Sequence, residues 1–304
     1  MTQKWVEREL RMDLSWEPLS DESQVIAVAR EKKGGEEEPA RNGTYKLVYI
    51  TPRPESMQEN ANQYVSGGSS FKEAASSRLV VPPTWVFEAV PPPPNENKRG
   101  PEDKEEADPR KVLYVSGRSG AGKSYWVRAY ARNYMAMYPK NGVFLISSLK
   151  KDKTLDAIPA LQRIDLDKLI ASPPKDVDAW RDSLVIVDDV EGLDNGGVEA
   201  KAVQRVQDMI ATEGRHSGTT IIRASHHATD YNKTRLILKE THGYTIFPDG
   251  DQNGYQRLLT TYAGMSKKAA DAVLDTPERW VYIHNTNPRF VMTPTTIALM
   301  PRKV

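Results

Sequence analysis

No cysteine occurs among the 304 residues, which excludes disulfide staples and thiolate metal sites and fits a chain that matures in a reducing compartment. Long hydrophobic runs are missing too. With no 18-residue apolar stretch and no secretory leader pattern, the expectation is a soluble, intracellular protein without a membrane span. Net charge is close to nil, +1 at pH 7, so nucleic-acid contact has to come from a local patch rather than from a whole-protein field. Histidine is scarce, at five residues. The adjacent pair His226 and His227 points to opposite faces of a strand and has no third ligand in view, which argues against zinc. Hydrophobic residues make up 38% and mean hydropathy is -0.60, low for one compact core, so part of the chain is expected to be open.

What is present centres on VLYVSGRSGAGKSYW, Val112 to Trp126: an apolar run, a glycine-rich turn, then a lysine and a hydroxyl at the mouth of a helix. The turn reads G-x-x-x-x-G-K-S, the P-loop pattern. Gly117, Arg118, Ser119, Gly120, Ala121 and Gly122 are expected to form a nest whose N–H groups face a polyphosphate, with Lys123 reaching the β and γ phosphates. Ser124 offers its hydroxyl to Mg²⁺, and the helix dipole adds to the same anion site. These features imply bound ATP and Mg²⁺ as cofactors.

A second feature, SLVIVDDVE from Ser183 to Glu191, follows the P-loop lysine by about 65 residues. Four successive apolar residues predict a strand buried on both faces, and the two carboxylates sit at its C-terminal end, where open α/β sheets bind ligands. Asp188 is placed to hold the Mg²⁺ shell as a Walker B aspartate does, and Asp189 to orient and polarise an attacking water. Glu191 is the reserve base. The strand Thr219 to Ala224 ends in Ser225, His226 and His227; Ser225 is taken as the γ-phosphate contact, with His226 the alternative. For the extra positive charge that fast hydrolysis needs, Arg215 is chosen ahead of Arg235, presented to the nucleotide of a neighbouring subunit.

Around these motifs strands and helices alternate, predicting a parallel sheet covered by helices. Trp126, Tyr130, Tyr134 and Tyr138 recur every four residues, which predicts a helix stripe packing on the sheet in preference to a base-stacking surface. Leu161 to Leu169 reads as a short run, Asp176 to Arg181 and Val198 to Thr212 as helices, and Ser266 to Leu274 as a short helix before a hairpin made by WVYIH and RFVMT. Upstream, Ser23 to Ala29 and Thr44 to Thr51 look like strands. Arg78 to Val90 looks like an edge pair broken at Pro82 and Pro83. Four prolines and the polar stretch NENKRGPEDKEEADPR then mark a linker. The organisation read from sequence is therefore an accessory region over 1–94, a charged linker over 95–110 and a P-loop domain over 111–304.

The segments GRSGAGKS, VFLISS, IVDD, EGRHSGTTIIRASHHATDYNKTR and GMSKKAADAVLDTPERWVYIHNTNPRFVM together resemble the DNA-packaging ATPases of large double-stranded DNA viruses, akin to poxvirus A32-type proteins and the wider FtsK and HerA motor clade. The resemblance spans about residues 111–292, and GRHSG and ERWV discriminate more than the P-loop does. It implies a RecA-like (ASCE) sheet, an oligomeric ring of five or six copies, ATP-driven movement of duplex DNA, and the family's ATP-site roles for Lys123, Ser124, Asp188 and Asp189. Capsid or portal-vertex partners follow from it, as do the host cytoplasm and the virion as locations. At the sensor position this chain has Ser225-His226 where glutamine or asparagine is more usual, and nothing before Lys111 has a counterpart.

For DNA contact, Thr219 to Val304 carries 11 Lys or Arg against 7 Asp or Glu, clustered at Lys267-Lys268, Arg279-Trp280, Arg289 and Arg302-Lys303. Such a pattern suits sequence-independent phosphate contacts and equally an ordinary solvated face. Two other functions remain open on sequence alone: a P-loop kinase, and a scaffold gated by nucleotide without turnover.

Overall fold

The computed structural model describes residues 12–32, 44–52, 78–94, 109–194 and 196–300. The polar segment after Lys32, residues 53–77, most of the 95–110 stretch, and Arg302-Lys303 lie outside the described residues. Packing groups the chain into two units, Met1–Glu88 with Asn287–Val304, and Ala89–Thr286. The sequence division kept 287–304 with the P-loop span. Within the first unit, Thr296 to Ala298 pair with an early strand, a return of the chain that leaves no mark in composition.

The first unit is built of β1 (Met12–Ser15), β2 (Gln24–Glu31), β3 (Tyr45–Pro52), β4 (Arg78–Val80) and β5 (Trp85–Ala89). Strands β1, β3, β2 and β5 form a sheet in that order, with β1 and β2 both antiparallel to β3. Leu14, Ala27, Val48 and Phe87 are fully buried in it, and the Trp16 ring stacks on Phe87 at 5.9 Å between centroids. The pair expected over Arg78 to Val90 does not form, because β4 and β5 lie at the edges of different sheets, and Trp85 N–H closes the intervening turn on the Pro82 carbonyl.

In the second unit β6 (Val112–Ser116) leads through the glycine-rich loop into α1 (Lys123–Met137). There follow β7 (Gly142–Ser147), β8 (Leu161–Arg163), α2 (Leu166–Ala171), β9 (Ser183–Asp188), α3 (Val198–Glu213), β10 (Thr220–Ser225), α4 (Tyr231–Glu240), β11 (Gly243–Ile246), α5 (Gln252–Arg257), α6 (Lys267–Leu274) and β12 (Val281–His284). The first unit then takes β13 (Phe290–Met292) and β14 (Thr296–Leu299), which are antiparallel to each other; β14 also pairs antiparallel with β4, Ile297 opposite Leu79. The predicted run Leu161 to Leu169 divides because the Asp165 carboxylate accepts the Asp167 and Lys168 N–H groups and so starts a helix. The helix expected at Asp176 to Arg181 is one 3₁₀ turn.

The second unit's strands lie in the order β12-β11-β6-β10-β9-β7-β8. All neighbours are parallel except β11 and β12. Every residue of β6, β9 and β10 is buried, the signature of strands covered on both faces. On α1 the buried face carries Trp126, Val127, Tyr130, Ala131 and Tyr134, so the aromatic stripe is core. Its rings stack in pairs, Trp126 on Tyr130 at 5.8 Å and Tyr134 on Tyr138 at 4.9 Å. Each such side chain contributes about 1.5–3 kcal/mol by leaving water. Two of the hydroxyls find partners: Tyr138 donates to the Pro92 carbonyl at 2.7 Å, and Tyr134 accepts from Asn141.

His242 anchors the opposite, N-terminal edge of the sheet. Its Nδ1 accepts the Val112 N–H at 3.0 Å, so the ring must stay neutral to hold the first residue of β6. Burial, reinforced by the Arg110 and Lys111 charges, lowers its pKa from 6.5 to about 4. The unfolded chain therefore binds this proton before the folded one does. Stability should be complete above pH 6.5 and decline toward pH 4, by at most about 3 kcal/mol. Denaturant unfolding at neutral pH and at about pH 4.5 should show this acid loss reduced in His242→Gln. An unchanged loss would assign the acid sensitivity elsewhere.

Candidate nucleotide site

The loop 117–122 is held from two sides. Gly117 N–H donates to the Ser225 carbonyl at the end of β10, and Phe247 N–H to the Ser116 carbonyl beside it. A Cβ on Gly117 would stand 2.8 Å from the Phe247 ring, so close approach fixes glycine there. Gly122 has φ 114°, a backbone that side chains rarely adopt, and it delivers the chain into the first turn of α1.

Lys123 is 7% exposed and its ammonium donates to the Gly117 carbonyl at 2.8 Å, the Arg118 carbonyl at 3.3 Å and His226 Nδ1 at 3.1 Å. Burial lowers its pKa, opposed by the negative charge of Asp188, Asp189 and Glu191. Lys123, the first residue of α1, thus turns its ammonium back onto the loop that would cradle phosphate and onto His226.

Asp188 ends β9 and is 3% exposed. Burial, then the neighbouring Asp189 charge, push its pKa up to about 6, against the pull of Lys123. Carboxylate oxygens of Asp152, Asp188 and Asp189 lie within 4.8 Å of one another. Asp152 was not singled out from sequence; it follows β7, and its Oδ1 is fixed by the Thr154 and Leu155 N–H groups. The buried Asp188 and the half-buried Asp152 bring together hard carboxylate oxygens that fit a divalent cation such as Mg²⁺.

Asp189 sits in the left-handed region at φ 50°, one of three non-glycine residues with positive φ among those described. The Ser148 hydroxyl donates to its carbonyl, and its Oδ1 is 2.7 Å from His226 Nε2. Glu191 is committed elsewhere, to Arg223 Nη2 at 3.0 Å. Burial pushes the Glu191 pKa up, but Arg223 and the Ser225 hydroxyl outweigh burial and leave it lowered. That pairing makes Glu191 a poor base.

Of the two sensor candidates, Ser225 is buried at 2% exposure and uses its Oγ to accept the His227 N–H; its carbonyl, not its hydroxyl, touches the loop. His226 is the residue that faces the site. Arg215 stands at the opposite edge of the sheet, exposed, beside a cavity of about 470 Å³ that Arg110, His216, Lys239 and His242 also line. Arg215 is therefore remote from the loop of its own chain. Arg235 lies on α4, exposed.

Two arginines lie at the loop: Arg118, which the P-loop pattern itself includes, and Arg279, which no sequence spacing ties to the site. Arg279, grouped by sequence with the DNA-facing charges, donates from Nε to the Ala121 carbonyl at 3.1 Å. Arg118 reaches Asp249 at 2.7 Å, and both arginines border a cavity of about 810 Å³ with Gly120, Gln252 and Glu278.

A sheet in which β10 intervenes between the P-loop strand β6 and the acidic strand β9, with a lysine and two aspartates meeting at its C-terminal edge, defines a P-loop NTPase fold of the RecA-like kind. No family model matches the chain. Uncharacterized protein V3 of Sputnik virophage is 34% identical over 187 residues, 60% of this chain and 74% of that protein. The chain belongs to the family of that virophage protein. Among solved structures, the genome packaging NTPase B204 from Sulfolobus turreted icosahedral virus 2 in complex with ATP-gammaS is similar at 14% identity and a TM-score of 0.40, over 61% of this chain and 96% of that one. The pCW3 conjugation coupling protein TcpA is similar at 12% identity and a TM-score of 0.38, over 87% and 76%.

Proposed function

We propose that this protein hydrolyses ATP with Mg²⁺ and uses the energy to translocate double-stranded DNA, packaging a viral genome as a homo-oligomeric ring of five or six copies. The observation that carries the hydrolytic part is that the P-loop Lys123 is joined through His226 to Asp189, which clusters with Asp188, because a protein that only bound nucleotide would not need a second carboxylate beside the first. In this reading Lys123 and the loop N–H groups clamp the β and γ phosphates, and Ser124 and Asp188, supported by Asp152, hold Mg²⁺, which supplies charge stabilisation when bound. Asp189 serves the attacking water. The DNA and packaging parts rest on the EGRHSG and ERWV segments and on kinship with a virophage protein. A capsid or portal-vertex partner and a place in the host cytoplasm or the virion go with that role. No helix of the described residues is long and apolar enough to cross a membrane.

The test is phosphate release from ATP by size-resolved protein, with and without duplex DNA. Activity confined to an oligomeric fraction and raised by DNA is expected. Phosphate transferred to an added acceptor would instead mark a kinase. Near-zero turnover, with ATP still changing oligomer size, would mark a scaffold.

Arg215 is assigned to the neighbouring copy's nucleotide. Arg215→Ala should then lower turnover about 1,000-fold or more in the assembled form. Mixing it with Asp189→Asn protein should restore some activity, since some interfaces then pair an intact arginine with an intact carboxylate. No recovery in the mixture counts against the trans role.

A further inference from the structure

His226 follows β10 immediately and touches both halves of the site: Nδ1 is 3.1 Å from the Lys123 ammonium, and Nε2 is 2.7 Å from Asp189 Oδ1. An ammonium can only donate, so Nδ1 presents its lone pair to Lys123. The proton then belongs on Nε2, which donates to the Asp189 carboxylate. A carboxylate that fixes one imidazole nitrogen as donor and leaves the other basic is the arrangement that readies histidine to remove a proton. Here the basic nitrogen faces the position of a P-loop lysine amine, beside which the β and γ phosphates bind.

Resting on the hydrolytic reading above, we propose that His226 is the general base of ATP hydrolysis and that Asp189 acts through it. As a water oxygen bonds to the γ-phosphorus, one water proton passes to His226 Nδ1. The bond from that phosphorus to the β–γ bridging oxygen breaks, and its electron pair leaves on the nucleoside diphosphate. Asp189 stabilises the imidazolium, which afterwards returns its proton to solvent. Glu191, the second carboxylate beside this histidine, is paired with Arg223. The same contacts gate the base. While Lys123 occupies Nδ1 the histidine has no free lone pair, and it gains one only when the lysine turns to the phosphates.

The test uses the full chain as wild type, His226→Ala and His226→Gln, with a fluorescent non-hydrolysable ATP analogue for affinity and single-turnover phosphate release for chemistry. His226→Ala should bind the analogue within about threefold of wild type while its rate falls about 100- to 10,000-fold, and added imidazole should restore part of that rate. His226→Gln, which keeps a hydrogen bond but cannot take a proton, should be as slow as the alanine variant. The proposal is overturned if imidazole restores nothing, if His226→Ala keeps its rate, or if glutamine suffices, since a role in merely holding phosphate would then explain the residue. Wild-type protein that binds the analogue yet releases no phosphate would instead defeat the hydrolytic reading itself, before any variant is compared.

Discussion

Replacing Lys123 with alanine is expected to lower ATP turnover about 1,000-fold. Lys123 is 7% exposed and its ammonium is satisfied by two loop carbonyls and an imidazole, while three carboxylates lend it favourable charge. Removing it takes away the buried cation beside the loop and leaves Asp188 and Asp189 with less compensating charge. Analogue affinity should fall together with turnover, because the lysine meets the phosphates both before and during reaction. Phosphate release at saturating ATP and analogue titration read the two effects separately. Unchanged turnover would remove the loop from the mechanism altogether.

Asp189→Asn should behave differently, keeping affinity and losing about 100- to 10,000-fold in turnover. Asparagine has the same shape, is among the residues that tolerate a left-handed backbone, and still offers an oxygen to His226 Nε2. What disappears is the negative charge, required whether the carboxylate meets water itself or stabilises the imidazolium. Single-turnover phosphate release together with analogue binding checks this split. Loss of binding in parallel with turnover would show that Asp189 shapes the phosphate site and does not serve the chemistry.

The strands and the loop were legible because their signals are local. An apolar run such as LVIV admits burial on both faces, and G-x-x-x-x-G-K-S specifies its own backbone. The four-residue spacing from Trp126 to Tyr138 gave the packed face of α1 for the same reason. Features set by tertiary approach were not legible. Strand β11, next to the P-loop strand, is only four residues long and offers no periodicity to read. Asp152 and Arg279 reach the site from chain segments about 30 and 160 residues from Lys123, and no spacing rule ties them to it. The choice between Ser225 and His226 was likewise undecidable from a strand pattern, since adjacent residues point to opposite faces and the pattern does not tell which face holds the lysine. Arg223 on the same strand reads as a stray charge in an apolar run. Its meaning came only with Glu191, 3.0 Å away and itself mostly buried.

The left-handed backbone at Asp189 has a consequence for how this position can vary. A φ of 50° is accessible to aspartate, asparagine and glycine at little cost, but it is strained for β-branched side chains. A saturation library at residue 189 should therefore sort twice: valine and isoleucine lost at the level of soluble expression, asparagine and glycine recovered as folded but slow protein. Conformation restricts this position before chemistry does, so the spectrum of tolerated residues there is a record of backbone geometry rather than of catalytic demand alone.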